Sequence, residues 1–331
     1  MTLHLDSRIQ QPPTVEAVAS FSRSAPDVGE AVMRALDGSE IDLSNLHCSE
    51  QVSGFIGVAG RTHFVRITEA SRPAPGVDDH TMFMLPGWTE MVERGTGANL
   101  HDAVAERFPA SRILSIATDG VGMHCQPLSW DESMHLSFST QGSDRLEIAA
   151  VVAAEGPTTL APVSMGTVIG LETALLNLSK QRLQLEHIIN HSHAQVSLAH
   201  VPIDMVLRFP LHMAFDGVRE GIQHPKEAAD AILGFLAIVA THAPAYAGNL
   251  RNLLRGTDIR NVFRVAQDVP TTFIFGTKDP LKQEKQLRRL ERALPGQVRL
   301  MPIPGKGHAV SLDSKRAAQD FAKADIHGLA A

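Results

Sequence analysis

The chain has 331 residues, a length that suits two ordinary domains or one large α/β domain carrying an insertion. Its formal charge of −6, from 30 basic and 36 acidic side chains, provides no concentrated positive surface, which disfavours nucleic acid as a partner. Hydrophobic residues make up 44% and charged residues 20%, the balance of a folded chain, and no apolar run approaches the ~20 residues of a membrane span.

The opening stretch MTLHLDSRIQQPPT carries charges and prolines where a secretory signal needs an apolar run. Only Cys48 and Cys125 occur, in unlike contexts, which points to reduced thiols and no cysteine zinc cluster. A cytoplasmic location is the expectation. Residues 1–50 hold two short helical patterns, 14–21 and 27–36, the second capped by Asp27 and stopped near Gly38, and are read as an N-terminal extension. From Val52 the pattern becomes β-rich: SGFIGVA, a turn at Gly60 and Arg61, then THFVRIT, predicting a hairpin. The run TMFML at 81–85, ended by Pro86 and Gly87, predicts a strand buried on both faces.

A helix over about 98–108 separates that run from a second, RILSIAT at 112–118, the spacing of a parallel strand–helix–strand unit. Helix 144–154 then leads through Gly156 and Pro157 into the strand TTLAPVS, followed at once by the helical run GTVIGLETALLNL. Further strands are predicted at 194–201 (AQVSLAHV), 271–277 (TTFIFGT) and 297–303 (QVRLMPI). This alternation predicts an α/β fold with a doubly wound, mostly parallel sheet. One interval breaks it: residues 202–268 have helical periodicity and far exceed the ~2–6 residues of an ordinary connection. They are read as a helical cap on a core formed by 51–201 and 269–331.

The sharpest chemical signal is Pro162-Val163-Ser164-Met165-Gly166, between an apolar strand and a helix. A tight strand-to-helix turn projects a serine hydroxyl off the sheet, and the helix turns its positive end toward an oxyanion formed there. Taken alone, the serine reads first as an ordinary helix N-cap. A nucleophilic hydroxyl needs a base, and the base an orienting acid. Asp279, in Gly276-Thr277-Lys278-Asp279-Pro280, and His308, in Gly305-Lys306-Gly307-His308, both follow predicted strand ends, the edge where sites assemble on open α/β sheets.

In the order serine, acid, histidine, and in the strand that each follows, residues 52–325 resemble the α/β-hydrolase fold family. LPGW at 85–88 is similar to the family's oxyanion loop. The Asp119-Gly120-Val121-Gly122 turn, TTFIFGTKDPL and IPGKGHAV are similar to further landmarks. The resemblance implies Ser164 as nucleophile, His308 as general base and then acid, and Asp279 as the group orienting His308. It also implies oxyanion donors on the backbone of Met165 and Trp88, and no cofactor. The chain departs from the pattern at Pro162, where the family has glycine, and at Pro86, where it has histidine.

Other residues admit two readings. His187 and His191, with His193 close by, could present imidazoles on one helical face for a metal, or mark a solvated helix end; no HExxH arrangement is present. Gly95-Thr96-Gly97 lacks a third glycine and is read as a loop. Asp204, beyond the predicted strand 194–201, is an alternative acid to Asp279. The apolar segment VPIDMVLRFPLHMAF could line a pocket over Ser164 or simply pack the cap. The expected activity is hydrolysis of a small or medium apolar carboxylic ester, with a small-molecule acyl substrate as partner and assembly into a homo-oligomer left open. Acyl transfer, thioester cleavage and perhydrolysis use the same residues, and a non-catalytic receptor or scaffold is the alternative of another class.

Overall fold

A computed structural model describes residues 47–48, 51–58, 61–69, 80–87, 90, 92–93, 95–108, 110, 112–119, 128–153, 156–193, 196–197, 225, 229, 236, 242–252, 257–279, 284–308 and 313–325. The two helical patterns of residues 1–50, Trp88 and Asp204 lie outside them.

The strands in chain order are β1 His47–Cys48, β2 Gln51–Val58, β3 Arg61–Glu69, β4 Thr81–Leu85, β5 Arg112–Ile116, β6 Pro157–Pro162, β7 Gln184–His191, β8 Val196–Ser197, β9 Thr257–Asp258, β10 Thr271–Gly276 and β11 Val298–Ile303. Nine form one sheet in the order β1-β2-β3-β5-β4-β6-β7-β10-β11. The predicted hairpin is present, with Val58 paired to Arg61 and Gln51 to Thr68, and β3 runs antiparallel to β5. From β5 across β4, β6, β7 and β10 to β11 every pairing is parallel. The parallel strands β4, β5 and β10 are buried along their whole length, which is why they read as continuous apolar runs rather than alternating ones.

Helices cover both faces. On one, Phe83, Leu114, Leu160, Ile188 and Phe273 pack against the helices Phe138–Ala153, Gly166–Lys180 and Ile259–Asp268. On the other, Met82, Met84, Ile113, Ile189 and Ile274 meet Gly95–Ala105 and Ser314–Ala324. The architecture is a doubly wound, mostly parallel α/β sheet. Glycine sets one helix contact: a Cβ on Gly142 would lie 2.9 Å from the backbone nitrogen of Thr173, so helices 138–153 and 166–180 touch backbone to backbone.

The structure corrects three local expectations. Gly95-Thr96-Gly97, read as a loop, forms the first turn of the helix Gly95–Ala105. The strand expected at 194–201 is described only at Val196–Ser197, which pairs with Thr257–Asp258 in a separate two-stranded ribbon. Its place in the main sheet is taken by β7, where a solvated helix end was expected. Leu185, Ile188 and Ile189 are spaced as on a helix face, and the polar Glu186, His187, Asn190 and His191 hide the strand's burial.

Of the segment expected as a cap, residues 242–252 and Ile259–Asp268 are helical. Val262, Val265 and Ala266 of the second join the main core cluster. The helix 242–252 leans on the helix Trp130–His135, where a Cβ on Gly248 would meet the carbonyl oxygen of Ser133 at 2.5 Å.

Candidate active site

Four strand ends supply the site: Leu85 leads to Gly87, Pro162 to Ser164, Gly276 to Asp279 and Ile303 to His308. Since β4, β6, β10 and β11 all run the same way, these four segments emerge at one edge. Ser164 has φ of 49°, a left-handed conformation that costs a non-glycine residue energy and is held here by specific partners. Its N–H donates to His191 O at 2.9 Å, and its carbonyl accepts from Thr167 N at 3.0 Å and Thr167 Oγ1 at 2.6 Å. The sharp reversal brings the start of helix 166–180 against β4. A side chain on Gly166 would collide with the carbonyl oxygen of Leu85, so only glycine fits at that position.

Pro162, the departure two residues before Ser164, is accommodated. It closes β6, where its missing N–H interrupts no further pairing, and its ring lies over Gly170, 3.0 Å from where a Cβ would be. Val163 N donates to Leu85 O at 2.8 Å, so pairing with β4 resumes at once.

The acid and histidine segments dock on each other. Lys278 N donates to Lys306 O at 2.8 Å, Thr277 N to Ile303 O at 3.0 Å, and Gly305 N to Thr277 Oγ1 at 2.8 Å. Gly276 permits this approach, since a Cβ there would strike the Lys306 carbonyl. The result aligns three side chains: Ser164 Oγ lies 2.7 Å from His308 Nε2, and His308 Nδ1 lies 2.8 Å from Asp279 Oδ2. Asp279 and His308 are 2% and 3% exposed, so water competes little with either contact. An ionised carboxylate can only accept, which assigns the imidazole proton to Nδ1 and leaves Nε2 to accept the serine O–H. Among the described residues, no acceptor takes the N–H of Met165, the buried first residue after the serine.

Two neighbours of this site escaped the sequence reading: Thr167, which holds the elbow carbonyl, and Glu90, whose Oε2 accepts from Gly87 N at 2.7 Å. A threonine three residues after the serine was a readable helix-start signal. His193 lies edge-on to Phe273 at 5.3 Å. Burial holds its imidazole down at about 3; the charge of Asp279 pulls it up and His308 pushes it down.

The three clustered histidines do not converge on a metal. His187 and His191 lie four residues apart along a strand, about 13 Å, rather than on one helix turn. His187 Nε2 meets Thr272 Oγ1 at 3.0 Å, while His191 contacts Ser192 Oγ at 3.2 Å and packs on Phe321. A different triple, His63, Asp119 and Asp144, does place ligand atoms together. It is better described as an ion-pair network. His63 Nδ1 is 3.0 Å from Asp119 Oδ1 and Nε2 is 3.0 Å from Asp144 Oδ2, so both ring nitrogens face carboxylates, as an imidazolium requires. Arg61 grips Asp144 with two 2.6 Å bonds and Arg145 reaches Asp119 at 2.8 Å, so both carboxylates already have cations. Burial lowers the His63 pKa, but Asp119 and Asp144 outweigh it and the net shift is upward. Arg145, His63 and Arg61 hold the two acids below their usual range against burial.

No family model and no curated protein matches the chain. Solved structures do. The enol-lactonase from Burkholderia xenovorans LB400 superposes with a TM-score of 0.59 at 16% identity, covering 84% of this chain and 100% of its own. A bromoperoxidase from Bacillus anthracis gives 0.59 at 15% identity, over 84% and 100%. A thermophilic esterase from Thermogutta terrifontis gives 0.55 at 14% identity, over 79% and 93%. Together with the strand order and the strand-to-helix turn at Ser164, these likenesses establish that the chain has the α/β-hydrolase fold.

Proposed function

We propose that the protein is a serine hydrolase that cleaves a carboxylic ester of a small or medium apolar substrate through an acyl-enzyme on Ser164. The observation that carries this reading is the hydroxyl–imidazole–carboxylate relay, with contacts of 2.7 and 2.8 Å between segments far apart in the chain. The names of the fold's relatives, among them an esterase and a lactonase, support it further.

Ser164 Oγ attacks the ester carbonyl carbon as His308 Nε2 takes its proton. The carbonyl oxygen gains negative charge beside the N–H of Met165, with Trp88 as second donor, and Asp279 balances the imidazolium. Collapse expels the alcohol, which receives the proton from His308. Water, deprotonated by the same nitrogen, then releases the acid. The test is turnover of chromogenic esters of graded acyl length. Ser164→Ala and His308→Ala are expected to lower kcat by at least about 10³-fold with the fold intact. Undiminished turnover in either variant contradicts the proposal. Rising product yield in the presence of added alcohol would assign acyl transfer in place of hydrolysis.

A further inference from the structure

We propose that Glu90 is a positioning residue for the oxyanion loop, acting through the backbone of Gly87; this rests on the serine hydrolase reading. The loop after β4 begins Pro86-Gly87 and passes directly against the nucleophile. A Cβ on Gly87 would lie 3.1 Å from Ser164 Cβ and 3.2 Å from Glu90 Oε2, so the carboxyl of Glu90 and the serine flank the same glycine.

Glu90 closes this loop twice. Its backbone N–H donates to Gly87 O at 3.3 Å, and its side-chain Oε2 accepts from Gly87 N–H at 2.7 Å. The side chain is 4% exposed, so the second bond is made out of reach of water and is worth more than the same contact at a surface. The two bonds staple Gly87 to Glu90, three positions on in the chain.

The staple also decides which N–H can serve the reaction. Pro86 has none. That of Gly87 is consumed by Glu90, and that of Glu90 by Gly87. The next N–H in the sequence is that of Trp88, the residue proposed for the oxyanion hole. Glu90 thus takes the Gly87 donor out of competition and holds Gly87 in place against the nucleophile.

The experiment compares two substitutions of equal length. Glu90→Gln keeps an oxygen for Gly87 N–H, whereas Glu90→Met keeps the stem and offers no oxygen. Activity is measured as kcat per site titrated with a fluorophosphonate, so that loss of folded protein does not register. Glu90→Gln is expected within about 5-fold of wild type. Glu90→Met is expected to lose about 100-fold in kcat, the effect of misplacing one oxyanion donor, with KM nearly unchanged. The inhibition constant of a phenylboronic acid, whose tetrahedral adduct places an oxygen in the same hole, should rise in step. Should Glu90→Met fail to fold, Glu90→Ala takes its place in the comparison.

Equal activity of the two variants, whether both high or both low, overturns the role of Glu90 as acceptor. So does a loss confined to KM. Absence of Ser164-dependent turnover in the wild type would instead overturn the hydrolase reading itself, and the two failures are distinguished by that control.

Discussion

At the scale of single residues, the site depends on places where a side chain is forbidden as much as on those where one is required. Gly166 and Gly276 each sit where a Cβ would strike a carbonyl oxygen, of Leu85 and Lys306 respectively. Gly276→Ala must therefore push the acid turn away from the histidine loop. It is expected to cost about 1–3 kcal/mol of stability, read as a lower urea midpoint, and to lower ester turnover more than the stability loss explains. Asp279→Asn keeps the shape but removes the negative charge and allows an NH2 to face Nδ1, which favours the wrong tautomer of His308, and should lower kcat by roughly 10³- to 10⁴-fold with the melting curve little changed. Ser164, Asp279 and His308 were legible in the sequence because each follows an apolar run and a turn. Glu90 and Gly276 were not, because their roles are defined by partners that only the folded chain brings near. Pro162, a departure from the family pattern in the sequence, is accommodated because Gly170 leaves room for its ring.

Among elements, β7 shows where pattern reading loses its footing. Its burial is achieved partly with polar side chains that find partners inside, as His187 Nε2 does on Thr272, so neither alternation nor an apolar run marks it. The strands β4, β5 and β10, buried by apolar side chains alone, were read at nearly their observed bounds. A second buried polar assembly links elements directly: Arg61 and His63 of β3, Asp144 and Arg145 of helix 138–153, and Asp119 after β5, with Asn249 donating to Asp119 O at 2.9 Å. Because the His63 pKa is raised in the folded state, its contribution to stability is complete below about 6.5, the unfolded value, and is lost as pH rises through the folded value. The stability difference between wild type and His63→Gln, from urea titrations on both sides of neutrality, should therefore shrink with rising pH. A difference that grows with pH would mean that His63 is buried neutral.

For the whole molecule, the relay joins residues separated by 144 and 29 positions in the chain, so the site exists only when the sheet is assembled. The same sheet buries histidines that set its tolerance of acid. His101, held between Ser115 Oγ at 2.7 Å and Thr68 Oγ1 at 2.9 Å, is lowered to about 3 by burial and then by the charge of Arg66; His193 is lowered to about 3 as well. Below about pH 6.5 the unfolded chain takes up these two protons and the folded chain does not, so stability should fall on acidification by up to about 1.4 kcal/mol per pH unit for each. Urea unfolding across that range checks the slope, and His101→Gln should reduce it by one proton. The alternation of strands and helices, and the strand ends that carry the candidate residues, were readable because parallel α/β units repeat a simple period; the order of the strands was not, and what the described part of the segment 202–268 packs against could not be read, since core and cap helices share one apolar pattern. The most direct test of the central claim is intact-protein mass spectrometry with peptide mapping after exposure to a fluorophosphonate. One adduct on Ser164, formed quickly in the wild type and far more slowly in His308→Ala, is the predicted result. A folded protein that acquires no adduct, or acquires it on another residue, contradicts the account.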